Sequence, residues 1–229
     1  MKKTISLILL TSINFYYSQF FERVGAKYEL STTSTKAELF NYPEIKGSPY
    51  LSEGFTTAKV ACCNEVLPMR YDTYADQVEY SKDGQVYILA KEEPYTKIIF
   101  KDSNTSLVLA SVEKNSEPKY FVLLADGKNS LLKKVASIIQ QNSSTTPLNR
   151  NPAAYSAKSG EKAYFKMINP VYYLKTAKGN IGEIKDKGDV LALYPDKTNE
   201  LNTFFKSNKV KFNKEESLIK LVDFINSLT

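Results

Sequence analysis

Two adjacent cysteines, Cys62 and Cys63, are the only thiols in the chain, and there is no histidine anywhere. Without an imidazole the usual zinc sites, the Ser-His-Asp triad and the Cys-His pair are excluded, because each needs that ring as a ligand or near-neutral base. A disulfide or redox role for Cys62 and Cys63 takes one of two forms, a strained vicinal disulfide or an intermolecular bridge. The third option is two free thiols. Neighbouring side chains on a strand point apart, so strand geometry favours free thiols on opposite faces. A dithiol redox centre wants Cys-x-x-Cys, which is absent.

Ser-x-x-Lys recurs along the chain, at Ser111/Lys114, Ser130/Lys133 and Ser217/Lys220 among other places. That spacing sets an amine beside a serine nucleophile in penicillin-recognising enzymes, but no Lys-Thr-Gly follows; Lys197-Thr198-Asn199 is the nearest string. Ser and Lys are so common here that such pairs carry no catalytic signal by themselves. Carboxylates pair as Glu92-Glu93, Glu215-Glu216 and Asp186/Asp189. Acid-base work needs two carboxyls from different segments whose surroundings push their pKa values apart, and adjacent acids are more often turns or helix starts. Asp186-Lys187-Gly188-Asp189 lacks calcium-loop spacing, and no Gly-x-Gly-x-x-Gly or P-loop is present. No cofactor and no metal is therefore expected.

The residues with the best claim to binding are Arg70, Tyr71, Asp72, Tyr74 and Asp76, which gather charge and aromatic area at a predicted strand end. Tyr80 and Tyr87 lie nearby, although tyrosines are also ordinary strand residues and the absence of Trp removes the commonest sugar-stacking group. Lys206, Lys209, Lys211 and Lys214 make a basic stretch without aromatic interleaving beyond Phe212. It reads as a solvated connection, with no nucleic-acid partner.

The elements that must position these residues begin after a leader. Met1-Lys2-Lys3, the apolar run Ile5 to Leu10 and the polar exit Ser12 to Gln19 have the form of a secretory signal peptide over 1–19. The run is too short to span a bilayer, so no transmembrane segment is expected after cleavage. Loss of Lys2 and Lys3 takes the net charge from +6 to +4, spread among 25 acidic residues. That balance suits an exported protein in the periplasm, at the outer membrane or secreted, and gives no dedicated polyanion arm.

Residues 20–46 form a Ser/Thr-rich, loosely ordered lead-in. An antiparallel β-body is expected over 47–139, from runs at Phe55–Cys63, Val66–Tyr71, Gln77–Tyr80, Val86–Ala90, Lys97–Lys101, Ser106–Val112, Tyr120–Ala125 and Leu131–Ile139. Asp83-Gly84 and Asp126-Gly127 supply left-handed turn residues for two hairpins. The Leu131–Ile139 run also fits a helical period. Residues 140–160, polar and without acids, read as a linker or long loop.

Over 161–229, strands at Tyr164–Ile168, Val171–Lys175 and Ile181–Ile184 precede three helices. These lie near Asp189–Tyr194, from Pro195 through Phe205, and from Lys214 to Leu228, the last with Asn213 and Glu216 at capping-box spacing. Leu218, Leu221, Val222, Ile225 and Leu228 give it a continuous apolar stripe. The class is α+β: an antiparallel roll, sandwich or half-barrel, then a short strand group and three helices, packed as one unit.

Three stretches resemble a family of exported proteins of the Bacteroidetes type with no assigned activity. They are Gly47-Ser48-Pro49-Tyr50-Leu51, the run Met69-Arg70-Tyr71-Asp72-Thr73-Tyr74-Ala75-Asp76-Gln77-Val78-Glu79, and the stretch from Tyr194-Pro195-Asp196-Lys197 to Asn226-Ser227-Leu228. The resemblance implies export and carries over no catalytic residue. The expectation is an exported, non-enzymatic protein that binds an envelope protein or a glycan. The alternative is a His-independent hydrolase using carboxylates, acting on polysaccharide.

Overall fold

The computed structural model describes residues 45–141 and 163–228. The expected signal peptide, nearly all of the lead-in and most of the expected linker lie outside the described residues.

Twelve strands form among the described residues. In chain order they are β1 (Thr56–Val60), β2 (Val66–Asp72), β3 (Gln77–Lys82), β4 (Gln85–Ile88), β5 (Lys97–Phe100), β6 (Ser106–Ala110), β7 (Lys119–Ala125), β8 (Ser130–Lys134), β9 (Ser137–Gln141), β10 (Ala163–Met167), β11 (Val171–Lys175) and β12 (Ile181–Glu183). Ten make one sheet in the order β12-β11-β8-β7-β6-β5-β1-β2-β3-β4, while β9 and β10 pair separately, and every pairing between named strands is antiparallel. Many consecutive strands pair through short connections, as at the β3–β4 turn, where Asp83 and Gly84 hold φ of 51° and 73°. That is the two-residue turn whose twist matches the flanking strands.

The sheet is strongly curled. Tyr71 on β2 and Tyr120 on β7 meet edge to face with ring centroids 5.9 Å apart, yet the strand order puts them four steps from one another. Four steps across a flat sheet would be about 19 Å. Only a sheet rolled into a half-barrel brings the two rings together, and its interior is the main core of Ala58, Met69, Tyr71, Tyr80, Ile98, Leu107 and Tyr120.

The helices cover the far end. They are α1 (Lys187–Leu193), α2 (Thr198–Ser207) behind a short 3₁₀ turn at Pro195–Lys197, and α3 (Glu215–Ser227). Leu218, Leu221, Val222 and Ile225 of α3 are buried against Leu131 of β8 and Leu174 of β11. The apolar stripe thus faces the sheet, so α3 derives its stability from packing rather than from propensity. No helix among the described residues is long and apolar enough to cross a membrane.

Several local expectations need correction. Leu131–Ile139 is two strands, because the chain leaves the main sheet after Lys134 and β9 turns away to pair with β10. Gln140 and Gln141 belong to β9, not to a linker. Gly127 is not in the left-handed region: the Asp126–Asn129 connection is wide, follows a register shift at Leu123/Ala125, and needs no tight reversal. Asn213 does not cap α3; Lys214 occupies that position without a side-chain hydrogen bond. The capping box lies instead at α1, where Asp186 Oδ1 accepts from Gly188 and Asp189 and the Asp189 side chain accepts from the Asp186 N–H.

Candidate functional site

β2 ends at Asp72, and the next four residues are bent by that residue's own carboxylate. Asp72 Oδ1 accepts from the backbone N–H of Tyr74 at 2.8 Å and of Ala75 at 2.9 Å, the local hydrogen-bonding habit that makes Asp a turn residue. The turn finishes on Asp76 with φ 56°, a left-handed conformation that Asp tolerates better than most residues. This throws the Asp76 carboxylate back under the sheet.

There it meets two lysines and a phenol. Lys134, the last residue of β8, donates to Asp76 Oδ1, to Tyr71 Oη at 3.0 Å and to the Tyr120 carbonyl at 3.0 Å. Lys91 pairs with Asp76 Oδ2 at 2.9 Å and reaches Glu117 at 3.7 Å. Tyr71 Oη donates to Asp76 Oδ1 at 2.7 Å. The Asp76, Lys134 and Lys91 side chains are 18%, 17% and 20% exposed, so the cluster is largely withdrawn from water.

Burial works to raise the Asp76 pKa, but the charge and hydrogen bond of Lys134, the Tyr71 hydroxyl and the charge of Lys91 outweigh it and hold the carboxyl below its usual range. Burial pushes Tyr71 up, reinforced by the Asp76 charge. Burial also lowers Lys134, against the pull of Asp76. A carboxylate made less basic beside a phenol made less acidic is a poor acid-base pair near neutral pH. Its physical role is to fix charge and position, and it joins the strand-end turn to β8 across the mouth of the half-barrel.

The same Lys134 borders an open groove of about 550 Å³. Phe121 and Tyr173 supply its aromatic wall, touching edge to face at 5.3 Å. Lys119 and Asn169 add polar groups, and Glu113 and Glu117 come from the loop between β6 and β7.

Of the five residues singled out from the sequence, Tyr71 and Asp76 belong to this cluster, and Asp72 builds the turn that delivers Asp76. Tyr71, Asp72 and Tyr74 are only 2%, 1% and 8% exposed, so they are interior groups rather than a platform. Tyr74 packs on Phe165 of β10 with centroids 5.6 Å apart. Arg70 is engaged elsewhere: it pairs with Glu79 on β3 at 2.7 Å and lies between the rings of Tyr50 and Phe55, at 3.8 and 4.3 Å. Burial raises Glu79 against the opposing hydrogen bond and charge of Arg70.

Lys134, Lys91 and Tyr120 complete the cluster without having been singled out. Lys134 had a signal, a charge at the end of the apolar run Leu131-Leu132. Lys91 had none, since it sits in a loop beside Glu92-Glu93.

Cys62 and Cys63 are both free thiols, half-buried and buried. They lie in the connection after β1 rather than on opposite faces of a strand, with the Cys63 N–H bonded back to the Val60 carbonyl at 3.0 Å. Burial, then hydrogen bonding to Cys62, pushes the Cys63 thiol up to about 12, which removes thiolate character.

Two of the carboxylate pairs have structural uses. Glu215 pairs with Lys133 at 2.8 Å, and Asp186 and Asp189 cap α1. Among the described residues no three carboxylate or thiol side chains gather as a metal site would require. The chain matches no family model, no curated protein and no solved structure.

Proposed function

We propose that this chain is a non-enzymatic binding protein, exported to the cell envelope or secreted, that holds an envelope protein or glycan in the groove beside Lys134. The observation that carries the reading is the way the groove is built. Its inner wall is Lys134, whose ammonium is held by three acceptors, so that side of the concavity is preformed. Preformed concavities with an aromatic wall and a few placed polar groups are the usual form of binding sites.

Export is supported by the basic and apolar pattern of 1–19 and by the family resemblance. The alternative, a carboxylate hydrolase acting on polysaccharide, needs two carboxyls facing each other across a cleft. The groove's two carboxylates, Glu113 and Glu117, come from one loop, and the opposite wall is formed by Lys134, Asn169 and Tyr173. That arrangement favours retention over turnover.

The test places a photo-crosslinking residue at Lys119 or Asn169 in the native envelope, with the same residue at exposed Lys101 as control. A protein or glycan adduct formed from the groove positions and absent from Lys101 is the expected result. Adducts that are absent, or identical at all three positions, would remove the groove from consideration.

A further inference from the structure

Tyr172 and Tyr173 are neighbours on β11 and point to opposite faces, as strand residues must. Tyr173 lines the groove described above, whereas Tyr172 lines a second and larger concavity of about 940 Å³ on the helical side. This second concavity lies between the end of α2, the connection through Val210 to Lys214, and the first two turns of α3.

Its charge is one-sided. Lys209, Lys211, Lys214 and Lys220 all line it, all are exposed, and among the described residues none takes part in an ion pair. Of its two carboxylates, Glu215 is already neutralised by Lys133 at 2.8 Å and accepts from Tyr172 Oη at 3.4 Å. Glu216 alone is left to oppose four ammonium groups. Like charges gathered within about a Debye length repel one another, and a bound polyanion relieves that repulsion. The amino-terminal end of α3 opens into the same space without a side-chain cap, which adds positive partial charge.

The floor is apolar. Phe204, Val210 and Ile219 line it and are half-buried. Inorganic phosphate or a nucleic-acid backbone would use the lysines and leave this floor wet. A bilayer surface would meet the exposed lysines through its anionic headgroups without needing a concavity. An extended peptide that carries carboxylates beside apolar side chains uses both features at once.

We propose that this α2–α3 concavity is a docking groove for an acidic, apolar-bearing peptide segment of a partner protein. It is independent of the groove beside Lys134, so either assignment can fail without the other.

The experiment measures binding of a fluorescent peptide of about twelve residues, alternating Asp and Glu with Leu and Phe, to the purified chain by anisotropy. Comparison ligands are the same peptide with Asn and Gln for its acids, one with Ser for its Leu and Phe, and phosphatidylglycerol vesicles. The expected result is binding to the acidic-apolar peptide that weakens with salt and falls about tenfold or more in the triple variant K209E/K211E/K214E. These three side chains are exposed, and a thermal melt checks that the variant is folded. Undiminished binding to the variant, or equal binding of the amide peptide, would overturn the proposal. Equal binding of the Ser peptide would reduce the site to a general polyanion surface, and preference for vesicles would assign it to lipid; either result overturns the peptide assignment.

Discussion

Lys134 and Asp76 are 58 residues apart in sequence and meet as an ion pair where the half-barrel closes on itself. The strand order puts β8 five steps from β2, so this contact, with the Tyr71–Tyr120 pair beside it, holds together parts of the sheet that no hairpin connects. Removing one partner leaves the other charged group withdrawn from water, a change that costs about 3 kcal/mol for well-buried pairs. D76N should approach that cost. Asn accepts the left-handed φ of this position as readily as Asp does, so the loss reports charge rather than backbone. Urea unfolding checks it, and D76N/K134M should recover part of the loss by removing one of the two ammonium groups that lose Asp76. A strictly additive double variant would mean that the two groups are not coupled.

The depressed Asp76 pKa fixes the sign of a pH effect. Its folded value lies below the unfolded value of about 4, so its contribution is fully present above about pH 4 and is lost as pH falls through the folded value. Melting temperatures measured from pH 7 down to pH 2 should therefore fall more steeply for the wild type than for D76N, converging at the acid end. Glu79, raised by burial, contributes in the opposite sense, but it is present in both proteins and cancels in the comparison. Parallel curves would show that Asp76 carries no linked stability.

The local elements were legible in the sequence because their causes are local. Asp83-Gly84 dictates a two-residue turn, and the stripe Leu218 to Ile225 dictates which face of α3 is buried. The curl was not legible, since nothing in the spacing of Tyr71 and Tyr120 says that strands four steps apart will touch. The candidate site suffered from the same limit. Asp76 stood out beside Asp72 and Tyr74, but its partners Lys91 and Lys134 come from a distant loop and strand, and only the rolled sheet brings them together. The misplaced cap on α3 was a different failure. Asn213-x-x-Glu216 has the right residue types, but the helix starts one residue later, and Ser217 Oγ accepts from the Lys211 N–H instead.

Exposure also changes what an alanine test of the tyrosines can report. Tyr71 and Tyr74 are interior, in contact with Tyr120 and Phe165 respectively. Truncating a buried aromatic ring costs about 3–5 kcal/mol, a large share of the stability of an ordinary domain. Y71A and Y74A should each lower the unfolding midpoint sharply, and the double variant should be largely unfolded at 37 °C by circular dichroism. Y71F tests the cluster more gently: it keeps the ring and removes only the hydroxyl, which donates to Asp76 and accepts from Lys134, so its loss should be near 1–2 kcal/mol. A fully stable Y71A would show that the ring is not part of the core.

A second polar joint fastens the helices to the sheet. Asn226, near the end of α3, accepts from the backbone and side-chain N–H of Asn129 at 2.8 and 3.0 Å and donates to the Asn129 carbonyl at 3.0 Å. Asn129 is 1% exposed, and its own Oδ1 accepts from Ala177 N–H and Tyr194 Oη, both at 3.0 Å. One residue thus gathers the β7–β8 connection, the β11–β12 turn, the end of α1 and the end of α3. N226A strands buried donors and an acceptor, at a cost of about 1–3 kcal/mol. Hydrogen exchange should show the last turns of α3 opening first. Gly127 sits against the same amide: a Cβ there would stand 2.8 Å from Asn226 Nδ2 and 3.4 Å from the Asn129 carbonyl oxygen. G127A must therefore displace Asn226 and weaken the joint it makes. Because the clash and the lost hydrogen bonds share one side chain, G127A should cost much less in an N226A background than alone. Equal costs in the two backgrounds would place the strain of G127A in the backbone rather than in the Asn226 contact.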